Sequence, residues 1–342
     1  MSFKAGIVQL RSSTDVARNM KDASALIKAA ASQGAKFIST PEVTNVFEPD
    51  RERLKAIARP EAEDISVKGF SDLAAKLGVW LHIGSMALKG DDDKLVNRTI
   101  LYGPDGRTVA RYDKIHLFDV DLANGETYRE SASYTGGKEA VVVETPFANL
   151  GLTICYDVRF PALHRALAIA GANVLLVPAA FTVPTGKAHW HVLLRARAIE
   201  TGSFVIAAAQ GGKHDSGRET FGHSKVINPW GEVICEANTD PDFKVFEIDT
   251  EQSVVARAKI PNLQHAREFT LSTVSARLSA MILYAIKAMN LMAGSAIVHH
   301  TTNKQSMGLY RAPIAASQKF KNRLCRLAYR LSPTTSPKLP FA

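Results

Sequence analysis

The stretch GLTICYDVRFP, residues 151–161, joins an apolar, β-branched run to a polar turn and then to a proline. The run predicts a buried strand, and Pro161 is of the residue type that opens a helix at its first position. Cys155 therefore lies where a strand ends and a helix is about to begin. Backbone N–H groups at such a junction can stabilise a thiolate and hold an oxyanion. A single cysteine can instead be a small residue of the hydrophobic core. Residues elsewhere in the chain have to decide between the two interpretations.

Two charged residues also follow predicted strands. Glu42 ends the apolar run in AKFISTPEV, and Lys114 follows the hairpin ILYGPDGRTVARYDK, whose PDG at 104–106 is a turn signal. Taken singly, each of these charges could be an ordinary solvated side chain.

Together with Cys155, these charges form a complete set for amide hydrolysis. Glu42 can take the thiol proton and later activate water while Cys155 attacks the carbonyl carbon. Lys114 and the Tyr156 N–H can stabilise the oxyanion.

Three motifs carry a family resemblance: PEV with Glu42, DKIHLFD with Lys114 and ICYDVRFP with Cys155. They resemble, in the same order, the Glu-Lys-Cys signature of the nitrilase superfamily of carbon–nitrogen hydrolases, and the similarity runs from Phe3 to about Phe269. The resemblance implies the family's α/β (α+β) fold, a four-layer α-β-β-α sandwich. It also implies a homodimer or higher homo-oligomer and a cysteine thioester acyl-enzyme.

The resemblance also assigns roles to further residues. Glu130, in YRES, matches a second glutamate that orients the lysine and the substrate. Arg159 matches an arginine that reaches the substrate carboxylate. The alternative for Arg159, and for Asp157 two residues before it, is a structural ion pair. Phe181 and Thr185 match a pocket wall and a hydroxyl donor, and Tyr156 completes the substrate-binding set.

Two later stretches indicate a particular branch of this family. Residues 180–214 and FGHSKVINPWGEV at 221–233 resemble the branch that contains deaminated glutathione amidase and the ω-amidases. This branch acts on small amides that carry a carboxylate.

The charge distribution separates the chain into two parts. The net charge is +9, but residues 275–342 hold ten Lys and Arg and no Asp or Glu, which leaves 32 basic and 33 acidic side chains in residues 1–274. A nearly neutral body without a nucleic-acid motif predicts no nucleic-acid partner. We therefore expect a carbon–nitrogen hydrolase domain over residues 1–270 and a basic extension over residues 271–342.

Three interpretations of this extension stay open. It can be a solvated or anion-seeking appendage, which includes a disordered one, or an anchor on acidic lipids or a partner subunit. It can also be the product of a frameshift or a lost stop codon. The apolar stretch 281–298 is interrupted by Lys287 and Asn290, so no membrane span is expected.

The three cysteines, Cys155, Cys235 and Cys325, show neither CxxC nor Cys/His ligand spacing. This predicts no disulfide framework, no metal and a reducing, cytoplasmic location. The opening MSFKAGIVQL passes directly into a strand pattern and predicts no secretory signal.

Apolar strands alternate with helical patterns along the body, as in proteins whose helices pack on sheets. Helices are predicted at Val16–Gln33, Ser66–Leu77, Pro161–Ala170 and Lys187–Thr201. Strands are predicted at 3–9, 36–40, 79–86, 98–103, 108–113, 140–144, 149–155, 173–178, 203–209, 223–228, 232–237 and 244–248.

The sequence thus predicts a metal-independent thiol amidase that needs no cofactor. The expected substrate is deaminated glutathione, cleaved to 2-oxoglutarate and Cys-Gly. The alternatives are an ω-amidase on 2-oxoglutaramate, an N-carbamoyl amide or nitrile hydrolase, and a scaffold or binding protein of the same fold.

Overall fold

The computed structural model describes residues 1–122, 125–274 and 284–289. The chain divides into two units, Met1–Ala266 and Arg267–Ala342. In the second unit, residues 284–289 are helical and residues 267–274 carry no regular structure. The predictions for the rest of the extension lie outside the described residues. No helix among the described residues is long and apolar enough to cross a membrane.

The first unit contains sixteen strands and seven helices among the described residues. The strands are β1 (Ser2–Gln9), β2 (Phe37–Ser39), β3 (Trp80–Lys89), β4 (Leu95–Tyr102), β5 (Thr108–Asp113), β6 (Asp119–Asp121), β7 (Thr127–Arg129), β8 (Val141–Glu144), β9 (Asn149–Leu152), β10 (Val174–Leu176), β11 (Phe204–Ala207), β12 (Gly211–Lys213), β13 (Glu219–Phe221), β14 (Lys225–Ile227), β15 (Val233–Glu236) and β16 (Asp242–Asp249). The helices are α1 (Val16–Ser32), α2 (Arg51–Ile57), α3 (Ile65–Leu77), α4 (Pro161–Ile169), α5 (Val183–Thr185), α6 (His191–Thr201) and α7 (Glu251–Lys259).

Two six-stranded sheets form the centre of the fold. Their orders are β16-β1-β2-β3-β4-β5 and β15-β14-β11-β10-β9-β8. The strands β1, β2 and β3 are parallel to one another, and so are β9, β10 and β11. Each sheet therefore has a parallel core flanked by antiparallel strands, and functional residues are expected beyond the carboxyl ends of the parallel strands.

The apolar residues of β1 show how the layers arise. Ala5 and Ile7 belong to a core shared with the second sheet, whereas Val8 belongs to a core shared with α1 and α3. This alternation is what period-two side-chain geometry requires of a strand buried on both faces. On the other side, α4 packs on β9 and α6 packs on β11. The order helix, sheet, sheet, helix confirms the predicted four-layer sandwich.

Helix boundaries follow from capping chemistry. The Asp15 carboxylate accepts a hydrogen bond from the Arg18 N–H (3.1 Å) at the start of α1, and the Asp64 carboxylate accepts one from the Ser66 N–H (2.8 Å) at the start of α3. Gly78 ends α3 in the left-handed conformation, with φ of 62°. Pro161 occupies the first position of α4, as predicted.

The structure corrects several predicted elements. The strand predicted at 149–155 ends at Leu152, and Cys155–Arg159 forms a 3₁₀ turn. The helix predicted at Lys187–Thr201 begins as a π turn over Gly186–Trp190 and becomes α-helical from His191. The sequence patterns also missed α2 and α7, which bury only one and two residues. They missed the hairpins β6–β7 and β12–β13 as well, whose strands have three residues each.

Gly84 lies at an irregularity in the β3–β4 pairing, directly against the chain that leaves β2. A Cβ atom at this position would meet the backbone carbonyl oxygens of Thr40 and Pro41. These carbonyls belong to the segment that carries Glu42. The absence of a side chain at Gly84 therefore lets this segment approach the sheet.

We expect Gly84→Ala to lower the free energy of unfolding by about 2–3 kcal/mol, because backbone atoms cannot move aside as a side chain can. Gly103→Ala is the control, since its nearest neighbour is the mobile tip of the Asp105 side chain at 3.1 Å. Urea unfolding measures both. Equal stability losses in the two variants would contradict the close approach at Gly84.

Candidate active site

The predicted charged residues meet at one edge of the sandwich. Glu42 follows β2, Lys114 follows β5 and Cys155 follows β9. All three line one cavity of about 370 Å³, together with Glu130. The volume lies within the range of small-molecule sites.

The Lys114 ammonium lies between two carboxylates. Its Nζ donates to Glu42 Oε1 (2.8 Å) and to both Glu130 oxygens (3.0 and 2.9 Å). Only 3% of Lys114 and 5% of Glu42 is exposed. Because the pair is buried, neither charge is screened by water, and each depends on the other.

Hydrogen-bond donors hold the two carboxylates in place. Asn97 Nδ2 donates to Glu42 Oε1 (3.0 Å) and to Glu130 Oε1 (3.3 Å). The Ala180 N–H donates to Glu42 Oε2 (2.8 Å), and the Phe118 N–H donates to Glu130 Oε2 (2.6 Å). Each carboxylate thus has contacts on both oxygens, which restricts its orientation.

The backbone at Cys155 is in a conformation that L-residues rarely adopt. Its φ is 47°, and Val43, beside Glu42, has φ of 49°. The Cys155 N–H donates to Pro178 O (2.8 Å), whereas the Tyr156 N–H donates to no other described residue. This leaves the Tyr156 N–H available for an oxyanion, and that role stays a prediction.

Asp157 holds this turn from inside the protein. Its fully buried carboxylate accepts hydrogen bonds from the Ile154 N–H (2.8 Å), the His116 N–H (3.1 Å) and the Tyr112 hydroxyl (2.7 Å). Asp157 and Arg159 form no ion pair with each other among the described residues, and Asp157 Oδ1 lies 2.7 Å from His116 Nδ1. The carboxylate instead stabilises the conformation that presents Cys155.

The pKa shifts place the proton on sulfur and leave the carboxylate ionised. Burial by itself raises the pKa of Glu42, but the Lys114 charge and the hydrogen bonds from Lys114, Cys155 and Asn97 together lower the net pKa. Burial and the Glu42 charge raise the pKa of the Cys155 thiol well above its ordinary value. Burial opposes the charge of Lys114, yet Glu130 and Glu42 raise its pKa well above the ordinary value. The resting pair is a neutral thiol beside a carboxylate.

Three of the four sequence-predicted binding residues line the cavity. They are Tyr156, Phe181 and Thr185. Arg159 is not one of the described lining residues, but its guanidinium carbon lies 5.9 Å from the Tyr156 ring centre and 5.4 Å from that of Phe181. Arg159 Nη1 also lies 3.3 Å from His189 Nδ1.

Comparison with known proteins agrees with this geometry. A family model described as carbon-nitrogen hydrolase matches residues 4–258. The chain belongs to the carbon–nitrogen hydrolase family. This hydrolase is 40% identical over 268 residues to a deaminated glutathione amidase of Synechocystis sp., a match that covers 77% of this chain and 97% of the relative.

A second relative and a solved structure are also similar to the hydrolase. It is 36% identical over 270 residues to the human protein Omega-amidase NIT2, covering 78% of this chain and 95% of the relative. The crystal structure of the C. elegans NitFhit protein matches with a TM-score of 0.73 at 33% identity, covering 80% of this chain and 69% of that chain.

Asp113 and Cys235 lie outside the described cavity lining. The Asp113 carboxylate, next to Lys114 in the chain, accepts hydrogen bonds from Arg98 Nε (2.7 Å) and Arg98 Nη2 (2.8 Å). Cys235 lies in β15 and packs against the main core. Asp113 is thus held in an ion pair with Arg98, and Cys235 packs as a small apolar residue.

The hydrolase also contains one group of potential metal ligands among its described residues, namely His191, His223 and Glu236. The ammonium of Lys225 lies 3.2 Å from Glu236 Oε2 and in contact with His191 Nδ1. The Lys225 ammonium therefore already supplies a positive charge at this cluster. Metal-independent catalysis stays a prediction.

Three site residues escaped sequence reasoning. Asn97 lies inside a regular strand, and Tyr128 and Arg218 lie in short hairpins, yet all three line the cavity. The only local signal was that Asn97 is a polar residue at an inward-facing position of the strand LVNRTILY. Nothing local distinguishes Arg218 from a solvated charge.

We expect Lys114→Met to reverse the pH dependence of stability. In the wild type, the lowered pKa of Glu42 contributes stability above its ordinary value of 4.5, and this is lost as the pH falls through the folded value. Without Lys114, burial raises the pKa of Glu42, so the variant loses stability as the pH rises. We expect a loss of about 3–5 kcal/mol at pH 8 and a smaller one at pH 5.

Urea unfolding at the two pH values measures this difference. Lys68→Met is the control, because its ion pair with Asp72 (2.6 Å) is exposed and should change stability by less than about 0.5 kcal/mol. A loss for Lys114→Met that does not depend on pH would contradict the charge coupling.

Proposed function

We propose that this hydrolase cleaves the ω-amide of deaminated glutathione to 2-oxoglutarate and Cys-Gly through a Cys155 thioester. The observation that carries the proposal is the buried Glu42–Lys114–Glu130 chain beside a cysteine held in a strained backbone conformation. The relatives named for this activity share 36–40% identity with the chain and cover most of it.

Acylation uses the resting protonation states. Glu42 accepts the thiol proton as Cys155 Sγ bonds to the amide carbon, and the carbonyl π electrons move to oxygen. The Lys114 ammonium and the Tyr156 N–H stabilise this oxyanion. The C–N bond then breaks, the amine nitrogen takes the proton from Glu42, and the acyl group remains on sulfur as a thioester.

Deacylation reverses these roles with water. Glu42 removes a proton from water, the hydroxyl oxygen bonds to the thioester carbon, and the C–S bond breaks. The proton returns to sulfur and the carboxylate product leaves. Asn97 and the Ala180 N–H keep Glu42 in position through both halves, and Glu130 positions Lys114.

Arg159 is proposed to bind the carboxylate of the acyl half. Its guanidinium lies against two aromatic rings that line the cavity, and Thr185 supplies a hydroxyl to the same lining. Guanidinium groups bind carboxylates through a planar pair of donors. This selects an amide whose acyl chain ends in a carboxylate.

A second candidate is ω-amidase activity on 2-oxoglutaramate, favoured by the similarity to human Omega-amidase NIT2. Both substrates have the same acyl half, so residues that bind this half cannot separate them. Steady-state kinetics on deaminated glutathione, 2-oxoglutaramate and an N-carbamoyl amino acid decide the substrate class. The highest kcat/KM on the N-carbamoyl compound would overturn both amidase proposals, and turnover of none would support the scaffold alternative.

We expect Cys155→Ala to lower kcat at least about 10³-fold on the best substrate while the melting temperature stays close to that of the wild type. Cys235→Ala is the control, since Cys235 lies outside the described cavity lining. Dialysis against EDTA should leave the wild-type rate unchanged. Retention of more than about a hundredth of the rate by Cys155→Ala would exclude this nucleophile.

We propose that residues 271–342 are not required for turnover. All proposed catalytic and binding residues lie within Met1–Ala266, and the excess basic charge lies outside it. We expect truncation after Thr270 to leave kcat/KM within about threefold, since no proposed contact with the substrate is removed. Loss of activity on truncation would show that the extension belongs to the enzyme. The cytoplasmic location and the homo-oligomeric state stay predictions.

A further inference from the structure

Arg218 has no role in the proposed acylation and deacylation steps. It lines the same cavity as Cys155, at the start of the β12–β13 hairpin's second strand. Its guanidinium carbon lies 5.1 Å from the Phe47 ring centre and 4.8 Å from that of Tyr128. Two aromatic rings thus orient the planar group by contact with its faces.

The donors of Arg218 are not used by a carboxylate of the described residues. Its Nε is buried and has no hydrogen-bond partner there. Two other cavity cations are paired, since Lys114 is bound to Glu42 and Glu130 and Arg129 is bound to Asp121 (2.8 Å). Arg51 also lines the cavity but is exposed to water. A buried guanidinium donor without a partner costs free energy, which an anionic ligand would recover.

The hairpin that carries Arg218 is firmly held. The His214 N–H donates to Arg218 O (2.9 Å). The His214 ring is buried, with Nδ1 2.7 Å from Ser12 O and Nε2 2.8 Å from Thr220 Oγ1, and it stacks on Phe47 at 4.0 Å. Arg218 is therefore placed before a ligand binds, which lowers the ordering cost of binding.

A row of aromatic rings connects this position with Arg159. The Phe118 ring lies 5.2 Å from the Tyr128 ring and 5.1 Å from the Tyr156 ring. Arg218 lies against Tyr128 at one end of this row, and Arg159 lies against Tyr156 at the other. The row of rings therefore has a guanidinium group at each end, Arg218 from the cavity lining and Arg159 from outside it.

A substrate that matches this arrangement has one carboxylate on each side of its scissile amide. Deaminated glutathione has this form, because its acyl half carries the keto-acid carboxylate and its Cys-Gly half carries the glycine carboxylate. 2-Oxoglutaramate has only the first. We propose that Arg218 binds the carboxylate of the amine half and so gives the hydrolase its preference for a dipeptide leaving group. This inference rests on the proposed function.

The test compares three substrates: deaminated glutathione, the same compound with its glycine carboxylate converted to a carboxamide, and 2-oxoglutaramate. We expect the wild type to prefer the carboxylate to the carboxamide about 10- to 100-fold in kcat/KM, the range of a charge-assisted hydrogen-bond pair. Arg218→Met should reduce this preference to about twofold or less. Its rate on 2-oxoglutaramate should stay within about threefold of the wild type, which also shows that the variant is folded.

Two further variants sharpen the result. Arg218→Lys keeps the charge but loses the planar pair of donors, so it should retain part of the preference. Arg129→Met removes a cavity arginine already paired with Asp121, so the ratio between the two glutathione-derived substrates should not change. If Arg218→Met does not fold, the test uses Arg218→Lys alone and compares its kcat/KM ratio between the carboxylate and carboxamide substrates with that of the wild type.

The inference fails if the Arg218 variants keep the wild-type preference, or if they lower the rates on all three substrates equally. Failure of the proposed function has a different signature, seen in the wild type itself. A wild type that hydrolyses 2-oxoglutaramate but not deaminated glutathione overturns the proposed substrate and the role of Arg218 together.

Discussion

The buried contact of the Lys114 ammonium with Glu42 and Glu130 is the constraint on which the site depends. Removing three charges from water is costly, and only short contacts with further hydrogen bonds recover that cost. The fold supplies these bonds from Asn97 and from backbone N–H groups. Because the cluster holds Glu42 ionised while burial keeps the Cys155 thiol neutral, it prepares the enzyme for one proton transfer, from sulfur to the carboxylate.

The sandwich provides what this cluster requires. Its contributors come from the first sheet, after β2 and β5, and from the second sheet, after β9, so the site exists only when both sheets pack face to face. The approach of the β2 exit to Gly84 and the strained φ at Cys155 show that the backbone gives up local stability to bring these groups together. The hydrogen bonds of Asp157 hold the strained turn in place.

Chemistry and selectivity are separated within the cavity. In the proposed mechanism the charged cluster acts on any amide carbonyl that reaches Cys155, whereas the two guanidinium groups beside the row of aromatic rings discriminate between substrates by their carboxylates. The proposed role of Arg159 concerns the acyl half that is shared by related ω-amides, and that of Arg218 concerns the leaving group. Leaving-group preference can thus change without any change in the catalytic residues.

The amino-acid sequence alone determined the family and indicated the candidate catalytic residues and their order, because Glu42, Lys114 and Cys155 each lie in a motif with a recognisable strand exit. It also determined most of the long helices and strands, whose periodic apolar positions are visible locally. Short elements such as α2 and the β12–β13 hairpin were missed because they bury too few residues to show a period. Only the tertiary structure brought Asn97, Tyr128 and Arg218 into the cavity. Their roles depend on contacts with residues distant in the chain, and such contacts leave no local pattern that a sequence can show.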